Sequence, residues 1–396
     1  MDVYIRFSNT VHRHEPPVTN DPILVLHIDK EKQFVVISKP GSIPVHVTGR
    51  YYRHTVLEIM EADHGIKCYA VNRLDRLTSG LMIMALSGPA SRDLAQEFLN
   101  GKVHKEYVAR VRGRFPEEEL MIDKPLLTVD RQMGLVIVTP DGKDARTVFK
   151  RLSYDVNRDQ SIVHCRPMTG RTHQIRVHLQ YMGYPIANDP LYSHEKVWGK
   201  DVGRGGVALV PQNGESSRAA ALAMRTGDHP DEEYLADREL ANIDVTSPIR
   251  LSTQAKEIIG KLRRMKDEQE DWIKWNEVVF TAKQAQDALG SPSPAPLTRA
   301  DIPHSRTIQM QTRGRKSLPD PVPDEHVSAL RRPDHIPEGF CETCFVPIAD
   351  DPDPETLFIY LHALRYTTEA LGVWETPLPR WAGADWDGDW RGWVDD

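Results

Sequence analysis

From Pro22 to Tyr192 the chain is broken into short apolar runs, bounded by Gly, Pro or polar turn residues. Phe34-Val35-Val36-Ile37, Leu81-Met82-Ile83-Met84-Ala85 and Leu135-Val136-Ile137-Val138 are the clearest. Runs this short and this rich in β-branched and large apolar side chains fit strands of a buried sheet. Helical patterns lie between some of them. From Gly88 to Asn100, Ala90, Leu94 and Phe98 fall four residues apart and so share one helical face. Strands and helices interleaved in this way predict an α+β domain with a large sheet over residues 22–192.

Beyond that domain the apolar density drops. Gly203-Arg204-Gly205-Gly206 and Ser291-Pro292-Ser293-Pro294-Ala295-Pro296 read as flexible or extended linkers. One helix is expected near 253–275, capped by Ser252 or Thr253, with Ile258, Leu262, Met265 and Trp272 near one stripe that packs on the main domain. Residues 193–354 are therefore read as an acidic, partly disordered insertion. The strand-like pattern returns at Leu357 to Leu364, and an acidic, Trp-rich tail closes the chain at 383–396.

The net charge of −7 is unevenly distributed. Residues 1–192 hold 26 Lys and Arg against 22 Asp and Glu, and the remainder 24 against 35; ten of the 16 histidines lie in the first part. A mildly basic half permits RNA binding, provided that the charges line one cleft. No run of eighteen apolar residues occurs, so no membrane-spanning helix is expected. Four cysteines make no disulfide framework and point to a reducing compartment. The first residues lack a secretory apolar stretch and are poor in Arg and Ser, so a cytoplasmic location is expected, with mitochondrion and nucleus as alternatives.

Two segments carry the chemistry. Asn72-Arg73-Leu74-Asp75-Arg76-Leu77-Thr78-Ser79-Gly80-Leu81 sets a carboxylate between two arginines, just before a turn into an apolar strand. Flanking guanidinium groups favour the ionised form that a nucleophile needs. Alone, the Arg-x-Asp-Arg pattern is more often a surface ion-pair cluster. The second segment, Gly170-Arg171-Thr172-His173-Gln174-Ile175-Arg176-Val177-His178-Leu179, is dense in groups able to touch phosphates or base edges, and it leads on to Asn188-Asp189.

Together these segments resemble the RluA-like family of pseudouridine synthases. Lys39-Pro40 through Pro44-Val45-His46 looks like that family's first motif. Lys105-Glu106-Tyr107-Val108-Ala109-Arg110-Val111-Arg112-Gly113 looks like its tyrosine-bearing strand, and Leu361-His362-Ala363 followed by Pro377-Leu378-Pro379 like its closing strands, at 355–382. His14 to Val18, Ser42 to Arg50 and the Asn72-to-Asp75 variant look most like eukaryotic members acting on tRNA. The resemblance implies the family's catalytic fold, with a central mixed, mainly antiparallel sheet flanked by helices and loops. It implies that Asp75 attacks the target nucleotide, that Tyr107 packs on the flipped uracil, and that Arg176 holds the aspartate ionised and aimed. Arg73 matches the residue that displaces the target base; Arg76, Lys105, Arg171, His173 and Gln174 are further candidates for RNA contacts. The expected substrate is a uridine in RNA, at position 32 of the tRNA anticodon loop, with ribosomal RNA and mitochondrial tRNA as alternatives. The isomerisation is redox-neutral and transfers no external group, so no cofactor is expected. Residues 1–21 are too short for the S4-type RNA-binding domain common in these members and are read as a remnant preceding the catalytic domain.

Rival readings fare less well. Cys341-Glu342-Thr343-Cys344 has zinc-ligand spacing but no second pair, so no metal is expected. A zinc deaminase would need a Pro-Cys-x-x-Cys segment, and no Pro-Cys dipeptide occurs. A glycosidase would need a second carboxylate, where the motifs supply arginines. An RNA-binding protein without catalysis would not need the Asp75, Tyr107 and Arg176 set.

Overall fold

The computed structural model describes residues 14–131, 133–207, 247, 251–269, 352–383 and 386–389. Chain contacts divide the protein into two units, one of Arg13–Lys266 with Asp351–Asp396 and another of Met1–His12 with Asp267–Asp350. Outside the described residues lie residues 1–13, most of the 193–354 segment, Trp272, the Cys341–Cys344 pair and residues 390–396.

A ten-stranded sheet forms the body. Its strands are β1 (Leu24–Asp29), β2 (Phe34–Lys39), β3 (Tyr69–Ala70), β4 (Ser79–Ala85), β5 (His104–Arg112), β6 (Leu120–Asp123), β9 (Arg146–Asp155), β10 (Gln160–Pro167), β11 (Leu361–Thr368) and β12 (Gly372–Glu375), while β7 (Leu126–Asp130) and β8 (Leu135–Val138) make a separate hairpin. The spatial order is β1-β2-β4-β11-β5-β10-β9-β6, with β3 on β4 and β12 on β11. Among the described strands of this sheet, only the β4–β11 pairing is parallel. The sheet is mixed and mostly antiparallel, in an α+β fold. β2 and β4 read as unbroken apolar runs because both faces are covered; every residue of β2 is buried.

The strand that completes the middle of this sheet comes from the far end of the chain. β11 lies between β4 and β5, about 250 residues later in sequence than β5. Gly80 permits the join: a side-chain carbon there would fall 2.3 Å from the Ala363 carbonyl oxygen, and φ is +109°. The strand-like run at Leu357 to Leu364 is only partly strand. Pro354–Leu357 forms a 3₁₀ turn, begun by Asp353, whose carboxylate accepts the Glu355 N–H, and β11 starts at Leu361.

Helices α1 (Val56–Ala62), α2 (Gly88–Leu99), α3 (Gln174–Tyr181), α4 (Glu195–Trp198) and α5 (Thr253–Gln269) complete the described part. The α2 helix starts where the sequence predicts, with Ser87 as cap and Pro89 in the first turn. Two apolar cores result. The larger lies against the sheet, and the smaller joins the β7–β8 hairpin to Tyr192, Trp198 and the Ile258, Ile259 and Leu262 stripe of α5. A boundary at residue 192 therefore cuts through the smaller core, because residues 195–202 and the start of α5 pack into it. Low apolar density hides this, since few large side chains suffice for a small core. Helix α3 sits between the two, with Ile175 and Leu179 in the larger and Val177 in the smaller.

Candidate active site

A cleft opens between the turn before β4 and the start of α3, with an empty volume of about 520 Å³ and a mouth open to solvent. Asp75, Tyr107, Lys105, Arg73, Arg171, His173, Gln174 and Arg176 all line it, with Thr78 and Leu361.

The first wall is the turn. Thr78 N–H donates to the Asp75 carbonyl at 3.0 Å, and buried Leu74 and Leu77 anchor the turn to the larger core. Arg73 and Asp75 line the cleft from this turn. Beneath it the fully buried Lys39 ammonium donates to the carbonyls of Pro40 (2.8 Å), Ile43 (2.9 Å) and Arg76 (3.2 Å). Three backbone acceptors clamp the strand end of β2 to the turn. Burial and the nearby Arg76 lower the Lys39 pKa to about 7, opposed by Asp75.

The second wall is α3. Arg176 grips Asp189 with two parallel hydrogen bonds, Nε to Oδ2 at 2.7 Å and Nη2 to Oδ1 at 2.9 Å, and both side chains are buried. Its remaining nitrogen, Nη1, reaches Asp75 Oδ2 at 3.4 Å. The Asp189 carboxylate also accepts the backbone N–H groups of Leu191 and Tyr192. Arg176 is thus a fork fixed from behind by Asp189, offering one donor to the cleft. His173 Nε2 lies 3.6 Å from the same Asp75 oxygen.

β5 supplies the third side. Lys105 and Tyr107 are two residues apart and so project from one face of the strand. The Tyr107 hydroxyl meets that of Tyr366 on β11 at 3.3 Å, and Asn72 Nδ2 donates to Tyr366 at 3.4 Å. The Lys105 ammonium lies 5.2 Å from the centroid of the Phe98 ring.

Burial alone would raise the Asp75 pKa, but His173, Arg176 with its hydrogen bond, and Lys39 together bring it below the ordinary carboxylate value. The contribution from His173 requires a protonated ring. Burial, reinforced by Arg176, lowers His173 to about 4, so at neutral pH the ring is uncharged and Arg176 is the facing cation. Burial and the neighbouring Tyr366 push Tyr107 well above the ordinary phenol value, so it stays a phenol at neutral pH. The arrangement presents an ionised carboxylate, one-third exposed, opposite a buried guanidinium and beside a buried aromatic ring.

Not every residue singled out in the sequence is free to act in the cleft. Gln174 is buried, and its amide is used up within the chain: the oxygen accepts from Thr169 and Arg171, and the nitrogen donates to Arg146 and Thr147. It shapes the turn before α3 and has no donor left for RNA. Arg76 turns away from the cleft, its guanidinium donating to the Ser42 carbonyl at 3.4 Å and lying over the Tyr51 ring. Arg171 donates through Nε to the Asp144 carbonyl while still lining the cleft, and Arg73 stands exposed at its edge. Sequence reasoning missed the supporting residues Lys39, Asp189, Tyr192 and Tyr366 as members of the site. Only Lys39 and Asp189 carried a signal, as a lysine and an aspartate inside otherwise recognisable motifs.

Residues 33–181 match the family described as RNA pseudouridylate synthase. Asp75, Tyr107 and Arg176 all lie within that matched segment. Pseudouridylate synthase RPUSD2 of Homo sapiens is 35% identical over 382 residues, which cover 96% of this chain and 62% of that protein. The mitochondrial tRNA pseudouridine(32) synthase of Saccharomyces cerevisiae is 48% identical over 205 residues, 51% of this chain and 44% of that protein. The tRNA pseudouridine(31) synthase of the same yeast is 33% identical over 217 residues, 47% of this chain and 54% of that protein. The chain thus spans roughly half to three-fifths of the length of these relatives. The family match ends at residue 181, the last of α3, so β11 and α5 lie beyond it.

Proposed function

We propose that the protein converts uridine to pseudouridine in RNA, with a tRNA anticodon-loop uridine at position 32 as its substrate. The observation that carries this is the Asp75 carboxylate held 3.4 Å from Arg176 in a cleft that also contains Tyr107. A base stacked in RNA hides its glycosidic bond, so the target nucleotide must be extruded, at a cost of about a few kcal/mol that a loop reduces. Arg73 at the rim helps displace the base, and Tyr107 receives the uracil face. Asp75 attacks the nucleotide, and the bond from C1′ to N1 breaks. The freed uracil turns, C5 bonds to C1′ as the bond to Asp75 breaks and releases the carboxylate, and the proton lost from C5 is balanced by one gained at N1. No electron and no external group enters this sequence. Lys105 and Arg171, both lining the cleft, are the groups assigned to the flanking phosphates.

The choice of tRNA rests on the relatives named for positions 32 and 31, which are neighbouring nucleotides. The deciding experiment incubates the purified protein with tRNA transcripts and maps pseudouridine by chemical modification and primer extension. Formation at position 32, lost when that uridine is replaced by cytidine, is expected. Modification confined to position 31 or to ribosomal RNA overturns the site, and no pseudouridine in any RNA overturns the activity. One of these relatives is named as mitochondrial, so fractionation of cells should compare mitochondria with cytoplasm.

A further inference from the structure

Behind the α3 wall an unbroken series of contacts runs from Asp75 to a helix outside the matched family domain. His173, next to the cleft, faces the Asp75 carboxylate with Nε2 and the Tyr192 hydroxyl with Nδ1, at 2.9 Å. Tyr192 is fully buried, and its hydroxyl oxygen already accepts the Val136 N–H at 3.0 Å. The hydroxyl has a single proton, and His173 Nδ1 is the acceptor positioned to take it. Nδ1 is then the unprotonated nitrogen, and Nε2, 3.6 Å from the Asp75 carboxylate, carries the hydrogen. Val136 belongs to β8, and the turn that begins this strand passes over the imidazole: a side-chain carbon at Gly134 would lie 3.7 Å from His173 Cε1.

That turn is fixed by Asp130, whose carboxylate is completely buried. One oxygen accepts the Met133 N–H at 2.8 Å, and the other accepts Arg263 Nε of α5 at 3.0 Å. Around this ion pair Val129, Leu135 and Val136 share a core with Ile258, Ile259 and Leu262 of α5. A buried ion pair with apolar surroundings fixes one registry between helix and hairpin.

We propose that His173 is a positioning residue for Asp75, held as the tautomer protonated on Nε2 by Tyr192 and by the hairpin that α5 braces. This rests on the reading of Asp75 as the attacking group. A neutral donor aims the carboxylate without adding a second positive charge that would compete with Arg176 and dull its nucleophilicity. The charged groups facing the ring are Asp75, Asp189 and Arg176, and burial keeps it neutral at the working pH. A segment that separates the family's motifs from the closing strands thereby becomes part of the catalytic apparatus.

The test uses the full chain labelled with nitrogen-15 and long-range proton–nitrogen spectra of the imidazole rings. The His173 signals are those missing from His173→Gln. An unprotonated Nδ1 and a protonated Nε2 are expected from about pH 6 to 8. Tyr192→Phe, and separately the pair Asp130→Asn with Arg263→Met, should let both tautomers appear. The paired change keeps an acceptor for Met133 and avoids stranding the buried charge. In single turnovers on RNA these variants should slow pseudouridine formation about tenfold, the effect of one lost hydrogen bond in the transition state, with RNA affinity within about twofold. His173→Gln keeps an N–H near the place of Nε2 and should exceed His173→Ala in rate. A proton on Nδ1 or a charged ring at neutral pH in the unaltered chain overturns the proposal. So do equal rates for the Gln and Ala variants, and unchanged spectra in the paired variant remove α5 from it. Activity retained by Asp75→Asn would instead overturn the reading of Asp75, while leaving the tautomer measurement standing.

Discussion

The two walls of the cleft are built on opposite plans. The turn that carries Asp75 keeps its reactive side chain one-third exposed, beside an exposed Arg73, and its internal contacts are backbone carbonyls clamped by Lys39. In α3 all seven residues from Gln174 to Gln180 are buried, four of them polar. There His178 lies between Thr147 and the Lys124 carbonyl, and Arg176 lies against Asp189. A reagent at a solvated turn can change at little cost to the fold. A polar network in a low-dielectric interior cannot, because each group removed strands a partner.

Four substitutions or conditions test this difference, in descending order of effect. Asp75→Asn should cut single-turnover activity by at least about a thousandfold, as expected for a lost nucleophile. Its urea midpoint should stay near that of the unaltered chain. A large drop in midpoint would mean that the turn is as structural as the helix.

Arg176→Ala should lose both activity and stability. It leaves the Asp189 carboxylate buried without its cation, which costs about 3–5 kcal/mol in comparable buried pairs. Arg176→Lys keeps the charge without the fork and should fall between the two. Denaturant melts separate these variants, and an Arg176→Ala protein as stable as Asp75→Asn would break the contrast.

Acid should act through the buried histidines. His173 is lowered to about 4 and His362, enclosed by Ser79 and Thr376, to about 3, both by burial. Between the unfolded value of about 6.5 and these folded values only the unfolded chain binds the proton, so stability is full above that window and declines as pH falls through it. For His173 alone the loss approaches about 3 kcal/mol. Urea melts at pH 7 and pH 4.5 should show His173→Gln losing less on acidification than the unaltered chain; equal losses would exclude His173 as a source.

The smallest effect concerns the aromatic side of the cleft. Tyr107→Ala should weaken capture of a fluorinated-uridine tRNA by about 1–3 kcal/mol, the range for stacking on one base. Tyr107→Phe should bind nearly normally and lose only the contact to Tyr366, about 1 kcal/mol of stability. Equal binding by the Ala variant and the unaltered chain would remove stacking from its role.

Much of this site was legible because its members lie inside compact motifs. Arg-x-Asp-Arg alone reads as a surface ion-pair cluster, but Asp75, Arg176 and Tyr107 each stand in one of the ordered motifs that carry the family resemblance, and the structure brings all three to one cleft. Gln174 and Arg76 show the limit. Both are polar and adjacent to site residues, yet one is buried in its own turn and the other lies on Tyr51. Polarity records what a side chain can do, whereas its partners are chosen by tertiary contacts. The smaller core escaped notice for a related reason. Its α5 stripe was legible as one face of a helix, but the hairpin surface that receives it is far away in sequence.

The sequence by itself determined β2, β4 and β8, through apolar runs bounded by Gly, Pro or polar turn residues, and the helical face of α2, since these depend on neighbours along the chain. It also determined which residue types the chemistry draws on. Only the tertiary structure decided that β11 fills the centre of the sheet, that Asp189 rather than Asp75 is the principal partner of Arg176, and that Tyr192 stands behind His173. Those choices depend on distances between residues that no local pattern encodes. They arise when burial withdraws water and leaves each polar group to find its partner within the fold.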